Sequence, residues 1–204
     1  MDDVTTIEDR AWQAFLDLAW RPDFDGSAAD DAAGEPRGNT HWGVVRATWA
    51  GAFAFDGVTV SNSDFDTAPQ SDFAKVLRWA CWNAIDGDRL AQYGRGGTAI
   101  VLANMAMAAG ARQAVLLLQR TLGTVVVDGV MGPVTRLATC ARGQPLIDDL
   151  TNADDVFFAG LRTAPLYLHG WTRRAEAFRA AADAFAARGF TFSSDGTLLP
   201  GPRA

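Results

Sequence analysis

Residues 22–43 gather the side chains that could do chemistry: Asp23, Asp25, Asp30, Asp31 and Glu35, followed by Thr40-His41-Trp42-Gly43. Acids able to move a proton, next to a hydroxyl, an imidazole and an indole, are the parts of a polysaccharide-cleaving site. Plain turn chemistry accounts for the same composition, because Gly34, Pro36, Gly38 and Asn39 are residues that bend the backbone. A carboxylate-lined cleft and a solvated, acid-rich loop both fit the residues alone.

Charge is divided along the chain. Residues 1–70 carry thirteen acids against four arginines, and residues 71–204 carry eleven acids against fourteen basic groups, within a formal net charge of −6. An acidic whole without a basic stripe disfavours a nucleic-acid partner. Of the 204 residues 49% are apolar, with seven Trp and twelve Phe, enough for one domain or a domain with a small appendage. The most apolar run, Thr98 to Leu118, contains Asn104 and Arg112, so no membrane span is expected. The start "MDDVTTIEDR" lacks the basic-then-apolar layout of a secretory signal, which predicts synthesis in the cytoplasm. Cys81 and Cys140 read as buried free thiols. Together with His41 and His169 they show no metal-ligand spacing, so no metal is expected.

These residues need elements to position them. Thr5 and Glu8 have capping-box spacing ahead of Trp12, Phe15, Leu16 and Ala19, which predicts a first helix ending near Pro22. The stretch 22–40 follows as an irregular loop, and "AFAFDGVTV" predicts a short hairpin around Asp56-Gly57. A helix is predicted from Ser71, with Phe73, Leu77, Ala80 and Ala84 on one face and Trp79 and Trp82 flanking it. Residues 98–108 are apolar nearly all round, the pattern of a central buried helix. Gly110 breaks it, and a further helix runs to Gly123. "VVVDGVMGPVTRLATCA" reads as a brief extended run, a Gly/Pro loop and a helix. Helices are also predicted over 153–167 and 171–187, with a small hairpin or arm around Asp195-Gly196 at the end. The class is mainly α, with a small β-hairpin or irregular loop region.

Four segments then occur in a familiar order. "GNTHWGV", "VLRWACWNAIDGDRL", "LLLQRTLGTVVVDGVMGPVTRLA" and "FFAGLRTAPLYLHGWTRRAEAF" resemble successive elements of the glycoside hydrolase family 108 muramidases, the phage endolysin and secretion-activator group. The resemblance spans roughly residues 10–180. It implies a lysozyme-like helical fold: a muramidase region over 1–95, a peptidoglycan-binding-like helical region packed on it over 96–188, and a C-terminal arm over 189–204. It also implies a peptidoglycan hydrolase, cleaving the β-1,4 bond between N-acetylmuramic acid and N-acetylglucosamine in phage lysis or cell-wall remodelling, with no cofactor. Peptidoglycan would be the partner, with phage or secretion-system components as further ones. Action would fall at the periplasm or cell wall, after holin-type release or as part of a virion.

In that family the acid is the Glu of a "HEGGY" element closing the first helix, whereas this chain reads "LDLAWRPDFDG". Asp25 lies nearest the separation from Thr40 that the resemblance implies, Asp23 lies two residues earlier, and Glu35 is the only Glu of the loop. Aspartate reaches about 1.5 Å less than glutamate, and a misplacement of that order costs about a hundredfold in rate. Asx-type turns ahead of Gly26 are the other use for Asp23 and Asp25. Thr40 matches the family's threonine, to orient water or a sugar hydroxyl, or it caps a following helix. His41, Trp42, Trp82 and Asn104 complete the substrate-binding candidates. Trp42 either stacks on a sugar or joins the core, and Trp82 stands for the Trp of the family's "YW" pair. Asn104, the single amide on its apolar helix, either anchors that helix or faces the groove. Asp128-Gly129 and Gly132-Pro133 shape a turn. Because the "HEGGY" and "vNsG" elements are replaced, a degenerate relative kept for wall binding, or as a structural part of a particle or secretion system, is the alternative.

Overall fold

The computed structural model describes residues 6–21, 40–188, 191–192 and 198–199. Ten α-helices lie among them, with two short antiparallel strand pairs, so the chain is mainly α. Helix α1 (Ile7–Ala19) opens on a capping box, but one residue later than the spacing predicted. Thr6 Oγ1 accepts from the Asp9 amide at 3.2 Å, and the Asp9 carboxylate accepts from the Thr6 amide at 3.3 Å. That register puts Ile7, Ala11, Phe15, Leu16 and Ala19 inside.

The hairpin expected at Asp56-Gly57 is not formed. Strands β1 (Thr40–His41) and β2 (Val44–Val45) pair instead, and "RATWAGAFAF" is helix α2 (Arg46–Phe55). Alternating Ala and Phe mimics a strand, yet alanine is the strongest helix former, and Trp49, Ala52 and Phe53 recur at helical spacing. Asp56-Gly57 ends that helix: Gly57, at φ +75°, and Val58 return amide bonds to Ala54 and Phe53.

Helix α3 (Asn62–Thr67), with its Ser61–Asp64 capping box, was not anticipated. Helix α4 (Gln70–Leu77) runs into a single π turn (Arg78–Trp82) and a short 3-10 turn (Asn83–Ile85), then α5 (Gly87–Gln92).

Helix α6 (Gly96–Ala109) forms the centre, as its composition predicted, and every residue from Gly96 to Ala106 is buried. Around it lie α1, α5, α7 (Ala111–Leu122), α9 (Leu146–Ala159) and α10 (Ala164–Ala187). Gly97 lets the two backbones meet, since a Cβ there would stand 2.7 Å from the Ala182 carbonyl oxygen of α10. One hydrophobic core joins Ile7 to Phe185 across the expected 95/96 division, which falls at the head of this central helix.

The closing helices differ from the expected 153–167 and 171–187. Their break lies at Gly160–Thr163, before Pro165 in the first turn of α10, where a missing N–H costs nothing. Residues 168–170, left between the two expected helices, lie inside α10, with Gly170 exposed. Helix α8 (Pro133–Arg142) begins on its proline, and no strand forms over residues 124–127. Strands β3 (Thr191–Phe192) and β4 (Leu198–Leu199) pair antiparallel, and the turn expected at Asp195-Gly196 lies outside the described residues. No described helix is long and apolar enough to cross a membrane.

Candidate functional site

The β1–β2 turn consists of Trp42 and Gly43 alone, with His41 opposite Val44. Both turn residues are left-handed, at φ +50° and +72°, the combination that a tight hairpin of this length requires. Glycine adopts it freely, whereas a bulky L-residue pays about 1 kcal/mol or more. Trp42 is held there against Trp20, ring centroids 6.0 Å apart at 65°. Trp20 caps α1, and its buried indole N–H has no acceptor among the described residues. The end of the first helix is thereby fastened to the β1–β2 turn.

Pleating sends Thr40 and His41 to opposite faces. The His41 ring packs on Phe65 (4.7 Å) and Phe73 (6.0 Å), inside an aromatic cluster with Trp49. Thr40 shares its face with its cross-strand partner Val45. It does not cap a helix; Val45 is the N-cap of α2.

Val45 lines a cavity of about 280 Å³ between the hairpin, Thr48 of α2, Cys81 of the π turn and the C-terminal end of α6 at Met107 and Gly110. The lining is largely apolar. Thr48 is the one hydroxyl-bearing residue of that lining. Cys81 offers no nucleophile: burial pushes its thiol up to about 12, against a weaker opposing pull from Arg174. Both cysteines are free. Gly43 closes one wall, where a Cβ would run into the Met107 methyl. Gly43→Ala is expected to cost about 1–2 kcal/mol, from left-handed strain and the displaced Met107. Thermal denaturation checks this, and an unchanged Tm would contradict the hairpin geometry.

The remaining candidates fall in several places. Asn104 is buried, and its Oδ1 accepts from Arg174 Nε at 2.7 Å; Arg174 also reaches the Met107 sulfur at 3.0 Å. Asn104 thus ties α6 to α10 behind the cavity wall. Trp82 is fully enclosed, with no ring face left for a sugar. Its indole donates to Asp88 at 2.8 Å, beside the Arg78–Asp88 pair, and its ring lies edge-on to Trp12. Inward packing of the π turn overrides any outward role for that side chain. Asp23, Asp25 and Glu35 lie outside the described residues. Among the described cavity-lining residues there is no carboxylate.

One buried acid escaped the sequence reading. Asp154 of α9 is 2% exposed. Burial, then the neighbouring Asp155 charge, raise its pKa to about 7 against the pull of Arg174. A signal existed: Leu146, Leu150, Asp154 and Phe158 recur every four residues, so the acid occupies an apolar stripe. It does not line the cavity, and networks inside a fold shift pKa values as active sites do.

No family model and no curated protein matches the chain. Among solved structures, the chain is similar to that titled Brucella abortus SagA, with a TM-score of 0.66 and 27% identity over 85% of this chain and 91% of that one. The likeness takes in most of both molecules, so the two chains share their overall architecture.

Proposed function

We propose that the chain is a peptidoglycan hydrolase of the N-acetylmuramidase type, related to glycoside hydrolase family 108. It would cleave the β-1,4 bond between N-acetylmuramic acid and N-acetylglucosamine. Three things support the reading: the four ordered motifs, the architecture shared with Brucella abortus SagA, and the Trp20–Trp42 contact. The last carries most weight. It sets the residue that ends α1 against the turn that follows Thr40, one position from each flank of the acid-rich stretch.

In this mechanism a carboxyl from that stretch, Asp25 first and Asp23 or Glu35 otherwise, protonates the leaving glycosidic oxygen. That step needs the carboxyl protonated near neutral pH. Thr40 orients the water or a sugar hydroxyl, and Trp42 borders the sugar; His41, on the opposite strand face and packed on Phe65 and Phe73, takes no part. No cofactor is required. The partner is peptidoglycan, met at the cell wall after holin-type release or from a virion or secretion assembly.

The replaced "HEGGY" and "vNsG" elements favour a second reading: a wall-binding or structural relative that has lost its acid. Dye release from purified peptidoglycan separates the two. The parent should clear substrate from mildly acid to neutral pH, and Asp25→Asn should lower the rate at least a hundredfold. Asp23→Asn and Glu35→Gln should have smaller effects. A parent that clears nothing yet sediments with cell walls would establish the second reading.

A further inference from the structure

Two large aromatic rings stand on the surface beside this cavity. Phe55, the last residue of α2, is 74% exposed, and Trp79, in the π turn, is 38% exposed. Their centroids are 5.8 Å apart with planes at 44°. Phe55 follows Thr48 by seven residues, so both lie on one helix face about 10 Å apart along the axis. Trp79 precedes Ala80, which lines the cavity with Thr48. Phe55 thus lies farther along the α2 face that carries Thr48, and Trp79 meets it by ring contact. A π turn is itself an uncommon geometry, met often where a helix serves a function.

We propose that Trp79 and Phe55 form a stacking platform for a pyranose ring, an outer subsite of a trough that begins at the cavity. The ligand is a β-1,4-linked N-acetylated glycan strand, and the inference rests on the polysaccharide reading of the cavity above. Apolar C–H faces of a sugar suit an aromatic surface, while its hydroxyls stay in water at the rim. Size argues against a protein occupant. The exposed parts of the two rings amount to on the order of 250 Å², well short of the ~800 Å² per partner of a stable protein interface. Two tilted rings match one sugar unit and its neighbour better than one flat face.

Binding can be measured apart from cleavage. A soluble N-acetylglucosamine oligomer is titrated calorimetrically, and purified peptidoglycan is used in sedimentation, with the full chain and its Trp79→Ala, Phe55→Ala and Trp79→Phe variants. Trp79→Ala should weaken binding about tenfold and Phe55→Ala severalfold, while Trp79→Phe keeps most of the affinity. Phe55→Ala should melt near the parent, its ring being 74% exposed, and Trp79→Phe, which keeps an aromatic ring in the part-covered Trp79 position, controls for any loss of stability in Trp79→Ala. If the parent binds glycan and the alanine variants bind equally well, the platform is refuted and the hydrolase reading survives. A parent that binds no glycan overturns both. Trp79→Ala that converts a dimer to a monomer without changing glycan affinity would also refute the platform, assigning the rings to self-association.

Discussion

Asp154→Asn is expected to raise the stability of the protein at pH 8 while leaving it nearly unchanged at pH 5. Asp154 lies 2% exposed within α9, and its Oδ1 has no hydrogen-bond partner among the described residues. Ionising a carboxyl there means removing a charge from water without full compensation. The folded pKa of about 7 therefore exceeds the ordinary 3.8, with burial as the main cause, the Asp155 charge second and Arg174 opposing. Between those two values the folded state binds more protons than the unfolded state, so stability falls as pH rises. The favourable contribution is whole below about 4 and gone above about 7. The gap corresponds to about 4 kcal/mol at most. Asparagine keeps the shape and the donor–acceptor pair of the protonated acid but cannot ionise. A gain of about 2–4 kcal/mol at pH 8, roughly 5–15 °C in Tm, follows. Thermal melts of parent and variant across pH 4–9 check it. A destabilised variant at pH 8 would mean that the folded protein uses Asp154 as a charged partner of Arg174.

Gln119→Leu should cost about 3 kcal/mol or more and open the loop over residues 124–132. Gln119 is 1% exposed and uses both ends of its amide. Nε2 donates to Asp128 Oδ1 (2.8 Å), the Val130 carbonyl (3.1 Å) and Thr135 Oγ1 (3.2 Å). Oε1 accepts from the amides of Asp128 (3.0 Å) and Gly129 (2.8 Å). Leucine fills a similar volume, so little cavity forms; the loss comes from buried groups left without partners. Asp128 gives a second readout. Its carboxyl is held below the usual range first by the Gln119 hydrogen bond and then by the Val130 amide. A lowered folded pKa contributes stability above the unfolded value, and that contribution is lost as pH falls through the folded one. The variant should therefore lose acid dependence below about pH 4. Faster proteolysis within 124–132, alongside a lowered denaturation midpoint, would confirm the loop's dependence on this one amide. Unchanged protection there would refute it.

Both residues show what could be read from a one-dimensional pattern. The segment around Asp128-Gly129 and Gly132-Pro133 declared a turn, since glycine and proline act through their own backbone. The buried glutamine that holds the turn sits nine residues before Asp128, on a helix whose periodicity marks it as one more interior position. For Asp154 the apolar stripe was visible, but its orphaned oxygen and raised pKa follow from α10 packing across it.

At the candidate site the division is sharper. Neighbouring residue types in "GNTHWGV" marked a bend and a threonine. They did not reveal that Trp42 would itself take a left-handed conformation, because an isolated tryptophan avoids it and only the hairpin and Trp20 compensate. Trp79 and Trp82 are three residues apart, and a sequence treats them alike; packing buries one and exposes the other.

What the sequence determined by itself is whatever depends on one or two turns of chain. It set the mainly α class, the all-apolar α6, the stops at Gly110 and Gly123 and the proline start of α8, through propensity, periodicity and backbone freedom. Tertiary structure alone decided that Trp82 turns inward while Trp79 stays at the surface, and that the cavity lies between hairpin and α6. Those outcomes rest on which surfaces meet, and desolvation and steric fit arise between segments that are distant along the chain.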